Sequence, residues 1–237
     1  MTFLKTKSNS NIIAIIPARG GSKGIKNKNI KLIKKIPLFA WSVLAAQKEK
    51  IFDKIIVTSD SEKILKIAKK YGAECLKRSK SLSSDKAKTI DVIIDILSKL
   101  KKKGQFPEIV VLLEPTSPFR PRGIIRKCLI ELKKKKFKSI ATCTQVNRTP
   151  FNIFKKKNQS YKRILKEGKF YSRRQQMKNL KRINGNIYIN FSSNIIKDNS
   201  VLSEPIGLIE IDEINSINID SNYDLKIANL FSDRLKI

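Results

Sequence analysis

An apolar run, Ile12 to Ile16, stops at Pro17, and the chain continues "ARGGSKG" from Ala18 to Gly24. These residue types suit the holding of an anion. Gly20, Gly21 and Gly24 let the backbone aim its amides at phosphate oxygens. Arg19 and Lys23 add formal positive charge against a polyphosphate. A strand followed by such a turn belongs at the C-terminal edge of a parallel sheet, where phosphate-bearing ligands bind. A plain strand-to-helix connection uses the same residues, however, and neither GxxxxGK[ST] nor GxGxxG occurs here. The turn by itself leaves both readings open. The absence of histidine narrows the chemistry, because it removes Ser-His-Asp triads, Cys-His dyads and His-ligated zinc. Reaction must rest on carboxylates, lysine, arginine, backbone amides or a hard metal.

The elements that would present this turn alternate along the chain. Buried strands are expected at Ile12–Ile16, Asp53–Asp60, Ala73–Leu76, Glu108–Pro115, Phe137–Val146, Gly185–Asn190 and Ile206–Ile211, from short β-branched apolar runs. Helices are expected at Pro37–Lys50, Ser61–Gly72, Asp85–Gly104, Arg122–Lys136 and Asn222–Leu235. In the second of these Ser61 is the N-cap and Gly72 the terminator. This rhythm predicts an α/β fold, doubly wound around a mostly parallel sheet. It fails between Asn147 and Arg182, which reads as a β-rich excursion or arm carrying Phe151, Phe154, Tyr161, Phe170 and Tyr171.

A chain of 237 residues fits one such domain. Its formal charge of +31 fits either a polyanionic partner or lysines spread over solvated helix faces. The lysines occur in every segment, and no RNP signature, helix-turn-helix or aromatic-interleaved basic stripe accompanies them, which argues against a nucleic-acid reader. The three cysteines, Cys75, Cys128 and Cys143, form no ligand pair or disulfide framework and point to a reducing compartment. Residues 1–10 lack a signal-peptide core, and no stretch approaches about 20 apolar residues, so a cytoplasmic protein without a membrane partner is expected.

The wording of the opening turn carries further. "IPARGGSKGIKNKNI" (Ile16 to Ile30) resembles the N-terminal signature of the acylneuraminate cytidylyltransferases, that is, the CMP-sialic acid synthetases and their bacterial CMP-nonulosonate relatives. "PLFAWSVLAA", "FDKIIVTSDSEKILKIAKKYGAE", "LLEPTSPFR", "INGNIYI" and "INIDSNYDL" follow in that family's order and span nearly the whole chain. The Kdo cytidylyltransferases share the fold but word the opening turn differently. The resemblance implies a Rossmann-like nucleotidyltransferase fold over residues 1–237, with 147–182 as an arm for dimerisation and the sugar site. It implies a homodimer, CTP and a nonulosonic acid as substrates, and Mg2+ or Mn2+ as cofactor. In the implied reaction the sugar's anomeric hydroxyl attacks the α-phosphorus and pyrophosphate leaves.

By the same resemblance, Arg19, Lys23 and Asp220 are catalytic. Ala18, Arg19, Gly20, Gly21, Ser22, Lys23 and Asn29 hold the triphosphate, and Arg78 and Ser84 meet the cytidine. Glu114, Thr116, Ser117, Arg173, Arg174, Gln175 and Asn184 approach the sugar acid, and Asp220 with Asn218 holds the metal. Two positions depart from the family pattern. Glu114 stands where the family has Gln, and Asn218 where it has the first Asp of its metal pair, an amide that adds no charge. Another nucleotidyltransferase or a glycosyltransferase of the same fold, or a basic nucleic-acid-binding protein, are the alternative readings.

Overall fold

A computed structural model of the protein describes residues 11–22, 24–134, 136–146, 150–165 and 180–235. Strand β1 (Ile12–Pro17) leads through the turn to a small ribbon of β2 (Leu32–Ile33) and β3 (Ile36–Pro37), and then to helix α1 (Leu38–Glu49). Next come β4 (Lys54–Ser59), α2 (Glu62–Lys70), β5 (Glu74–Lys77), α3 (Thr89–Lys102), β6 (Ile109–Leu113), α4 (Ile124–Lys134) and β7 (Ser139–Gln145). A hairpin of β8 (Phe154–Lys157) and β9 (Ser160–Arg163) precedes β10 (Lys181–Phe191), α5 (Ser192–Asp198), β11 (Ile206–Glu210) and α6 (Asn222–Leu230).

The main sheet runs in the order β11-β7-β10-β6-β1-β4-β5. Its strands alternate between two helical layers, as a sheet buried on both faces requires. Ile12, Ala14 and Ile16 of β1 pack with Ile109, Val111 and Leu113 of β6 against α1, α2 and α4. Ile13, Ile15, Val110 and Leu112 face the other way, against Val92, Ile93, Ile96 and Leu97 of α3 and Ile195 of α5. The chain leaves β1 toward β4 and β5 on one side, and α3 then carries it back to β6 on the other. The crevice between the ends of β1 and β6 is therefore a topological switch point.

The doubly wound α/β expectation holds, with three local differences. β10 runs antiparallel to both β6 and β7, and it is longer than the expected Gly185–Asn190 segment. An antiparallel neighbour needs no crossover, and β7 and β10 have no α-helix between them among the described residues. Helix α5 was not expected, because seven residues with two isoleucines show no readable period. The last helix stops at Leu230, and a single 3-10 turn (Ser232–Arg234) then lays Leu235 into the cluster of Ile25, Leu38 and Trp41.

Candidate active site

The switch-point crevice opens into a cavity of about 410 Å³. The end of β1 supplies Pro17 and the turn after it Arg19, the loop after β6 supplies Glu114, Pro115 and Thr116, and the approach to α3 supplies Ser84 and Asp85. Ser22, Gly24, Lys28, Asn29, Arg78 and Asp220 complete the polar wall.

Three cations, Arg19, Lys28 and Arg78, and three carboxyl groups, Asp85, Glu114 and Asp220, share this wall. Arg19 pairs with Asp85 at 2.8 Å, at an exposed edge. Lys28 has a side chain only 14% exposed, and its Nζ donates to Asp220 Oδ1 at 2.8 Å. Arg78 is 7% exposed, and its Nε finds no hydrogen-bond partner among the described residues. Burial lowers the Arg78 pKa, the Asp60 carboxylate opposes that shift, and the Arg19 charge adds to it. A guanidinium remains charged under such conditions. A buried cation with an unsatisfied donor is costly unless an anion completes it.

The Gly-rich turn is held from several sides. The Gly20 amide donates to Asp60 Oδ1 at 2.9 Å, so it is already engaged by the protein. Gly21 faces open space, with nothing within 4 Å of a Cβ built there. A Cβ on Gly24 would stand 2.3 Å from the carbonyl oxygen of Asp220, so only glycine lets the two backbones approach this closely. Asn29 Nδ2 donates to the Arg19 carbonyl at 2.8 Å and fixes the end of the turn, while its buried Oδ1 has no partner among the described residues. Ala18 is fully buried behind the turn, its amide bonded to Thr58.

Asp220 is positioned by tertiary contacts more than by its own segment. The Ile219 amide donates to the Thr116 carbonyl at 2.9 Å, and the Ile219 side chain is fully buried. Ser221 and Asp224 form a reciprocal capping box at the start of α6. The same Asp224 carboxylate accepts the Asp220 amide at 3.0 Å. Although burial works against it, these bonds together hold the Asp224 pKa below the usual range. Asn218 Nδ2 donates to Asp220 Oδ2 at 3.1 Å, and Asn218 Oδ1 is a buried acceptor without a donor among the described residues. One carboxylate, its Oδ1 already paired with the Lys28 ammonium, and one orphaned carbonyl oxygen are the donors that this corner could offer a hard divalent cation. No cluster of three or more His, Cys, Asp or Glu side chains suited to a metal occurs among the described residues.

Glu114 carries the largest carboxyl perturbation. Burial pushes its pKa up to about 7, against the nearby charges of Arg120 and Lys28 and with that of Asp220. Arg120 donates to the Glu114 carbonyl at 2.5 Å, to the Asn186 carbonyl at 3.1 Å and to Ser42 Oγ at 2.8 Å.

The other expected sugar-side residues divide. Thr116 lines the cavity. Ser117 is fully buried and donates to the Gly185 carbonyl at 3.4 Å. Asn184 accepts from Thr142 Oγ1 and donates to Ser216 Oγ, each at 2.8 Å, and thus braces the bulge where β10 shifts register at Gly185. Lys23, Arg173, Arg174 and Gln175 lie outside the described residues. Lys28, Asp60 and Asp85 were not singled out from the sequence. Lys28 sits inside the quoted motif, but among 51 basic residues no local signal distinguishes a lysine that turns inward.

Against known proteins, the family described as "Cytidylyltransferase" matches residues 13–198. The "CMP-N,N'-diacetyllegionaminic acid synthase" of Legionella pneumophila is 33% identical over 218 residues, covering 90% of this chain and 92% of that protein. The "Post-translational flagellin modification protein B" of Campylobacter coli is 34% identical over 223 residues, covering 92% and 94%. A solved CMP:2-keto-3-deoxy-manno-octonic acid synthetase complexed with CTP superimposes with a TM-score of 0.70 over 95% of this chain and 99% of that one, at 14% identity, which speaks for the fold alone. With a match of this extent, over a polar, charged cleft at the switch point, the chain belongs to the cytidylyltransferase family.

Proposed function

We propose that the protein transfers CMP from CTP to the anomeric hydroxyl of a nonulosonic, sialic-type acid and releases pyrophosphate. The observation that carries this reading is the convergence of Arg19, Lys28 and the buried, incompletely bonded Arg78 on one cavity beside a glycine turn. The names of the full-length relatives supply the acceptor class.

The triphosphate lies against the turn, with Arg19 and Lys28 opposing the charge that grows on the leaving pyrophosphate. Transfer of this kind depends on positioning and charge stabilisation, which suits a site without histidine. The sugar hydroxyl attacks the α-phosphorus, the bond from that phosphorus to the bridging oxygen breaks, and pyrophosphate departs. The hydroxyl proton goes to a carboxylate. With a pKa near 7, Glu114 is matched to that role at neutral pH. Asp220 and Asn218 would hold Mg2+ or Mn2+, whose chemistry when bound is to offset phosphate charge.

The working unit is a homodimer. Its support is the β8–β9 hairpin, which leaves Ile153, Phe154, Tyr161 and Ile164 between 46% and 67% exposed. No helix among the described residues is long and apolar enough to cross a membrane. Three free cysteines fit a reducing, cytoplasmic setting. The test is pyrophosphate release with CTP and a panel of legionaminic, N-acetylneuraminic, pseudaminic and Kdo acids. Release with a nine-carbon acid supports the reading. Release with Kdo alone, or with none, rejects it, and a monomer by light scattering at micromolar concentration rejects the dimer.

A further inference from the structure

Three successive residues at the end of β4 hold two elements of the cavity wall. The Thr58 carbonyl accepts the Ala18 amide at 3.0 Å, and the Ser59 carbonyl accepts the Arg78 amide at 3.1 Å. Asp60 Oδ1 accepts the Gly20 amide at 2.9 Å. The turn packs tightly there, since a Cβ on Gly20 would stand 2.9 Å from Ser61 Cβ. Arg19, Ser22 and Arg78 line the cavity, whereas Asp60 stands behind them and is not part of the wall. Nor does Asp60 cap the helix that follows, because Ser61 Oγ takes the Ile64 amide as the N-cap of α2. Its bond reaches across 40 residues of sequence to the turn instead.

We propose that Asp60 is a positioning residue for the nucleotide, which it does not touch: it fixes the Gly-rich turn through the Gly20 amide and holds Arg78 in place by charge. The inference rests on the cavity taking a nucleoside triphosphate, as in the proposed transfer. A carboxylate behind such a site repels the ligand, so its presence needs a role that outweighs the repulsion. The first role is to engage the Gly20 amide, which sets the path of the turn and leaves the amides from Gly21 onward for phosphate. The second concerns Arg78, whose buried Nε has no hydrogen-bond partner among the described residues. Two charges act on this guanidinium: Asp60 attracts it and Arg19 repels it. Without the carboxylate, Arg78 would be left buried beside a like charge, and its guanidinium would turn away from the site.

Asp60→Asn separates positioning from proximity by the sign of its effect. Asparagine keeps an oxygen for the Gly20 amide and removes the charge. If Asp60 merely repelled the triphosphate, the neutral variant would bind CTP more tightly; if it positions Arg78, the variant binds more weakly. Titration calorimetry of the full-length protein with CTP should give a dissociation constant raised about tenfold, the size of one charge-assisted contact. Asp60→Ala, which also releases the Gly20 amide, should weaken CTP binding further. In turnover, the KM for CTP should rise in Asp60→Asn while the KM for the sugar acid and the melting temperature stay at their native values. Unchanged or tighter CTP binding in Asp60→Asn would overturn the inference and leave the transfer standing. So would a failure of both variants to fold, which would assign Asp60 to the fold alone. An alanine variant that binds no more weakly than the asparagine one would remove the role of the Gly20 bond. Absence of CTP binding in the native protein would overturn the transfer and the inference together.

Discussion

Lys28 and Asp220 stand 192 residues apart in sequence and meet at 2.8 Å on the wall of the cavity. The pair closes the site from two ends of the chain. Lys28 arrives on the turn after β1, and Asp220 on the segment that caps α6. Below them, Gly24 lies so close to the Asp220 carbonyl that no side chain fits between.

Lys28→Ala should separate catalysis from stability. The Asp220 side chain is 67% exposed, and such ion pairs contribute at most about 1 kcal/mol to folding. Loss of a charge-assisted donor to the leaving pyrophosphate should lower kcat on the order of a hundredfold. Steady-state kinetics beside a melting curve checks this. A large fall in Tm with near-normal turnover would assign Lys28 a structural role.

Gly24→Ala should do the reverse and act through the fold. The added Cβ would fall 2.3 Å from the Asp220 carbonyl oxygen, so one backbone must move, at a cost of about 1–3 kcal/mol. Gly21→Ala is the control, because nothing lies within 4 Å of its Cβ position. Urea denaturation of both variants should show a lowered midpoint for the first only.

Glu114 predicts a pH dependence. Its pKa is raised to about 7 from an ordinary 4.5, so the folded protein holds this proton more tightly than the unfolded chain. The stability linked to that proton is fully present below pH 4.5 and is lost as pH rises through 7, up to about 3 kcal/mol. Glu114→Gln should flatten stability between pH 5 and 8 and gain most at pH 8. If Glu114 accepts the substrate proton, the same variant loses the acid limb of the pH–rate profile. An unchanged stability slope would show that the carboxyl is solvated.

Asn218→Asp should bring the metal in at lower concentration. A second carboxylate beside Asp220 adds charge where the native protein has the orphaned Asn218 carbonyl oxygen. The magnesium giving half-maximal rate should drop in the variant. Identical titrations would mean that position 218 is not a ligand, and turnover surviving full chelation would remove the metal from the reaction.

The strands β1 and β6 were legible because each is a short continuous apolar run rich in β-branched residues, as burial on both faces of a sheet favours. Helix α2 was legible for a similarly local reason. Ser61 caps it, Ile64, Leu65 and Ala68 share its buried side, and Gly72 follows with φ near +76°. The Gly-rich turn and Asp220 were also marked in the sequence, since glycines and motif wording are local features. What the fold alone decided is which distant groups meet. Hydrophobic period carries no strand direction, so the antiparallel β10 between β6 and β7 could not be read from it. Nor does charge composition say which of 51 basic side chains turn inward, so Lys28 became visible only when the chain closed around it, and Arg78, named by the motif wording, showed its burial and unsatisfied Nε only then. The proton affinity of Glu114 belongs to the same class. It arises from desolvation and from the charges of Arg120, Lys28 and Asp220, and a carboxyl has those neighbours only in the packed protein.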